Sequence, residues 1–199
     1  VLSRNAWIGI IASVVVVAAA IGLLQLVRTV GEDELSLPPQ VDDLLAVDSE
    51  AFLGTSGQED LLATRRAEAR TVGESLSEAF DGAAAVTRVY VDRESAESVT
   101  VFAVAADAGP LLPPGGFVDP DRAGLALPPV ERVADDGVEC LLQRNNPPRA
   151  GTDYQPDQAA PDTVQCQRRS GTLTVRAQAT FGDRDRVEDV VDDVWDDLD

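Results

Sequence analysis

The chain has 199 residues, 35 acidic against 16 basic for a net charge of −19, and it contains no His, Met or Lys. That balance excludes a nucleic-acid binder, which needs a basic footprint. The missing side chains exclude Ser-His-Asp, Cys-His and His-ligated metal schemes, together with Ser-Lys and Schiff-base chemistry.

An apolar, uncharged run over 7–27 comes first, with Gln25 its only strongly polar member. At about 1.5 Å per residue it reaches roughly 30 Å, the hydrocarbon thickness of a bilayer, and so predicts a single transmembrane helix in contact with membrane lipid. Arg4 and the terminal amine precede it and Arg28 follows, which nearly ties the positive-inside count. The short leader 1–6 and the position of both cysteines after the run place the N-terminus in the cytoplasm. The bulk of the chain then lies outside, on a single-pass anchor in the cell membrane. The rival reading is a cleaved secretory signal processed near Ala18, Ala19 and Ala20, although the run is longer than the usual signal core of about 7–15 residues.

Residues 28–47, with Pro38, Pro39 and several carboxylates, predict a linker, and 48–199 an extracytoplasmic domain. Leu61, Ala69, Val72, Leu76 and Phe80 make one apolar stripe of a helix over 58–80, weakened by Gly73. Alternating runs over 84–91 and 98–106, joined by polar 92–97, predict a hairpin. Phe102 and Val104 beside Val101 make its second strand apolar on both faces, hence central. The Pro- and Gly-rich stretch 107–129 predicts no regular element. Its Leu111, Leu112, Phe117, Leu125 and Leu127 either form a partner site or fold back over the sheet.

A strand over 138–143 carries Cys140, and 145–161 reads as another loop. Runs 163–169 and 172–181 predict a second hairpin around Ser170 and Gly171, with Leu173, Val175, Ala177 and Ala179 on one face. Val187, Val190, Val191, Val194 and Leu198 fall at helical spacing over 184–198, with Asp183 as N-cap. The order of elements predicts an α+β domain, an antiparallel sheet of about five strands with helices packed on one face.

Cys140 and Cys166 are expected to form one disulfide between their strands, as an even cysteine count in an exported domain implies. No nucleophile elbow, P-loop or dinucleotide fingerprint occurs. Asp119, Asp121 and Gly124 open like a calcium loop, but Ala123 and Val130 stand where ligands are required. No catalytic residue, cofactor or metal is therefore assigned. Asp189, Asp192, Asp193, Asp196 and Asp197 give the last helix a strongly acidic side, either a docking face for a basic partner or a solvated surface. Asp196 and Asp197 also oppose the helix dipole.

These residues, with Leu111, Leu112 and Phe117, are the candidate surface for a protein partner in the membrane or envelope. The expected function is a non-enzymatic accessory or interaction domain. The alternatives are a ligand- or cation-binding sensor module of the cell envelope and a carboxylate-dependent glycan hydrolase.

Overall fold

The computed structural model describes residues 35–54, 58–155 and 159–198. The 7–27 run lies outside these residues, and no helix among the described residues is long and apolar enough to cross a membrane.

Eight strands form one antiparallel sheet: β1 (Gln40–Val41), β2 (Leu44–Ala46), β3 (Ala85–Val91), β4 (Ser98–Val104), β5 (Val130–Asp135), β6 (Val138–Gln143), β7 (Thr163–Arg169) and β8 (Thr174–Ala179). Their order across the sheet is β1-β2-β3-β4-β8-β7-β6-β5. Two four-strand meanders therefore lie side by side, joined where β4 pairs with β8. This topology has one unavoidable consequence. The chain leaves β4 at the centre and must cross a face of the sheet to start β5 at the far edge.

Strand alternation divides the sheet into two unlike faces. On one, cross-strand rows such as Val101, Ala177, Cys166 and Cys140, and Val99, Ala179, Val164 and Leu142, make an apolar floor. Helix α4 (Arg184–Leu198) covers that floor. Its Val187, Val190, Val191 and Val194 are at most 2% exposed, each burial being worth about 1.5–3 kcal/mol as an upper bound. Asp183 accepts a hydrogen bond from the Arg186 backbone N–H at 3.2 Å, the expected cap. Arg168 stacks on Trp195, with its guanidinium carbon 5.1 Å from the ring centre, and pairs with Asp192 at 2.8 Å. Short helices α1 (Glu50–Leu53) and α3 (Pro120–Ala123) sit within connections, and the long α2 (Glu59–Ala79) links β2 to β3 through α1.

Three expectations need correction. The sheet has eight strands, five of which (β3, β4, β6, β7 and β8) coincide with the expected runs. The additional β1 and β2 are too short to show a period, and β5 is a charged edge strand with little apolar signal. Second, the long helices lie on opposite faces, because Ala69 and Val72 of α2 share a groove with Thr87, Val89 and Thr100, which point away from the α4 side. Third, the expected linker over 28–47 is partly folded: from Leu35 onward the chain belongs to the compact domain. Leu37, Val41, Leu44 and Ala46 are buried in its core. Arg88 donates to the Leu37 carbonyl, and the Tyr90 hydroxyl donates to the Pro38 carbonyl at 2.8 Å. Burial holds the Tyr90 phenol far above its ordinary pKa.

Candidate partner-binding face

The sheet face opposite α4 is polar, and its residues come from the same strands that build the core. Each apolar residue of β7 and β8 alternates with Gln165, Gln167, Arg176 or Gln178 on the other side. The register sets Phe102 opposite Arg176 and Arg176 opposite Gln167, with Gln167 in turn opposite Glu139. A second row runs Val89, Thr100, Gln178, Gln165 and Leu141.

The connection after β4 crosses this face, and polar side chains fix its base. Thr174 Oγ1 accepts from the Ala108 N–H at 2.9 Å and donates to the Ala106 carbonyl at 2.7 Å. Gln167 Nε2 donates to the Gly109 carbonyl at 2.9 Å and to Glu139 Oε2 at 3.2 Å, and Glu139 Oε2 also accepts from the Leu111 N–H at 3.3 Å. Leu111 is thereby buried, 2% exposed. Past that anchor the chain turns sharply: the Gly116 N–H donates to the Pro113 carbonyl at 3.0 Å, and Gly116 has φ +73°, a conformation that favours glycine. The turn holds Leu112, Phe117 and Val118 at 65%, 51% and 45% exposure. Beneath it lies a cavity of about 400 Å³ whose floor includes Leu141, Gln165 and Gln178.

On the other flank, α2 leaves a groove of about 190 Å³ lined by Ala69, Val72, Val89 and Thr100. Thr100 and Gln178 are directly opposed across β4 and β8, so the two hollows meet at one cross-strand pair. The result is a trough with a polar floor between two hollows. The one under the turn offers Leu112 and Val118, and the one beside α2 offers Val72 and Val89 together with the charged Asp48, Arg65, Glu68 and Arg88. Arg176 lies beside Gln178 in the adjoining row of the same face, outside the lining of either hollow. Its Nε and Nη2 donate to Gln167 Oε1 at 3.1 and 2.7 Å, and its guanidinium stacks on Phe102 at 5.0 Å. Burial pulls its pKa below the ordinary arginine value, while the charge of Glu139 opposes that shift.

The candidate surface from the sequence divides between the two sides of the sheet. Asp189, Asp193, Asp196 and Asp197 are exposed on the outer side of α4, and Asp192 is engaged by Arg168. Leu111, Leu112 and Phe117 are on the polar side, with Leu111 serving as the anchor and the other two exposed. Asp193 has a raised pKa, first from partial burial and then from Asp42, Asp189, Asp196 and Asp197.

Cys140 and Cys166 are bonded at 2.08 Å as directly opposed residues of β6 and β7. Glu188 Oε1 lies 3.3 Å from Cys140 Sγ, which has no proton to donate in the disulfide. Asp119, considered as a calcium ligand, instead caps α3, accepting from the Asp121 and Arg122 N–H groups, and Gly124 ends that helix at φ +67°. A further hollow, about 670 Å³ at the β5–β6 and β7–β8 turns, is lined by charges that face each other, Asp107 with Arg169 and Arg132 with Glu139.

Sequence reading passed over Arg176 and the glutamines around it. The signal was present as the polar complement of the Val175, Ala177, Ala179 face. No family model matches this chain, and no curated protein or solved structure matches it.

Proposed function

We propose that this chain is a non-catalytic domain, tethered to a membrane by its apolar run and held outside the cytoplasm, that binds a protein partner on the polar sheet face. The observation that carries the reading is the turn 112–118. A loop pinned at its base by a buried leucine and several side-chain hydrogen bonds keeps Leu112, Phe117 and Val118 in water. Exposed apolar groups on a rigidly held loop mark a recognition surface. The buried Cys140–Cys166 disulfide supports an oxidising compartment for the domain. The acidic side of α4 then keeps the opposite surface soluble.

The test is purification of the tagged full-length chain in mild detergent, beside the Leu112→Ser, Phe117→Ser double variant, with mass spectrometry of what accompanies each. A stoichiometric protein retained by the native chain and lost from the variant is the expected result. Equal recovery with both, or a native chain recovered alone, overturns the reading.

A further inference from the structure

Resting on that docking reading, we propose that the trough receives a peptide segment of the partner that carries a single carboxylate, which Arg176 grips, among otherwise uncharged apolar residues. Arg176 is half-buried on β8, a central strand of the sheet, and among the described residues it forms no ion pair. Its partners are the neutral Gln167 oxygen and the Phe102 ring, and the nearby Glu139 is committed to Arg132, Gln167 and the Leu111 N–H. A guanidinium fixed in this way keeps unused N–H donors in a planar fork, the geometry that matches a carboxylate.

Neighbouring groups complete the recognition. The side-chain amides of Gln165 and Gln178 make no hydrogen bond within the described residues and lie beside Arg176 on the same face. Thr100 of β4 and Gln178 of β8 are exposed where the two hollows meet, and two strands are about 10 Å wide at the usual spacing, which suits one peptide chain. The two hollows offer Val72 and Val89, and Leu112 and Val118, for apolar residues that flank the carboxylate. The charge of −19 excludes a polyacidic partner by long-range repulsion, and a basic segment would set like charge against Arg176. One carboxylate in an apolar context satisfies both constraints.

The experiment is selection of a phage-displayed random linear peptide library on the full-length chain in detergent, beside Arg176→Gln and Arg176→Lys chains whose folding is checked by thermal melting. The native chain is expected to enrich peptides with one Asp or Glu flanked by apolar residues. The best peptide should bind the Gln variant about 10- to 100-fold more weakly, with Lys intermediate, as for loss of a charged hydrogen bond. On the native chain, its amide counterpart should lose the same factor, and added salt should weaken the acidic peptide only. Apolar peptides without an acidic position, or an acidic preference unchanged in the Gln variant, overturn the carboxylate assignment and leave docking intact. No enrichment on the native chain overturns both.

Discussion

Single side chains decide how closely α2 approaches the sheet. Gly73 is the only buried residue of that helix, and a Cβ placed there would meet the Ala85 carbonyl oxygen at 3.0 Å. A strand backbone cannot yield as a flexible side chain does, so the helix must lift to admit a larger residue. Gly73→Ala gains about 1 kcal/mol of helix propensity against that squeeze and should leave stability nearly unchanged. Gly73→Val adds bulk with no such gain and should cost about 1–3 kcal/mol in urea unfolding. A valine variant as stable as the native chain would mean that α2 is not seated at this distance. The same glycine seemed in the sequence merely to weaken a helix, because spacing along one chain does not show which backbone lies opposite.

At the level of elements, the crossing loop separates residues that hold it from residues it displays. Leu111→Ala should destabilise the domain by about 2–3 kcal/mol, within the range for a buried leucine. Leu112→Ser and Phe117→Ser should fall within about 0.5 kcal/mol of native, as exposed positions do. Thermal or urea unfolding of the three variants checks this, and similar losses at all three positions would remove the distinction. The sequence showed five strands and both long helices close to their final bounds because each carries a full period of apolar residues. It placed the helices on one face because the Leu61–Phe80 stripe resembles a core stripe, yet Leu61 and Val72 remain exposed. Periodicity reports that a helix has an apolar side; strand order decides which face of the sheet receives it. For the same reason Leu111, Leu112 and Phe117 read as equivalent in sequence, and only the crossing path from β4 to β5 separates anchor from tip.

Across the whole molecule, the acidic excess predicts stability that depends on pH in opposite directions at the two ends of the scale. Asp92 is held at about 2, first by the Glu94 N–H and then by Arg186, which also binds Asp43 and Glu97. A carboxylate with a lowered pKa stabilises the fold above its unfolded value and loses that contribution as pH falls towards the folded one. This limb therefore runs from about pH 4 down to about pH 2. Glu188 and Asp193 behave in the reverse sense. Burial raises both; Asp185, Asp135 and Asp192 add to Glu188 against Arg184, and Asp42, Asp189, Asp196 and Asp197 add to Asp193. For these groups the folded chain holds protons that the unfolded chain releases, so stability falls as pH rises through and above the ordinary carboxylate range. Thermal midpoints measured from about pH 2 to 8 should rise out of the acid limb, pass through a maximum and fall again towards neutrality. Asp193→Asn should flatten the upper limb and leave the lower one in place, whereas a midpoint that climbs steadily to neutrality would sink this account. The acidic side of α4 thus costs stability at neutral pH, and substitutions that relieve it should leave binding at the proposed face opposite unchanged.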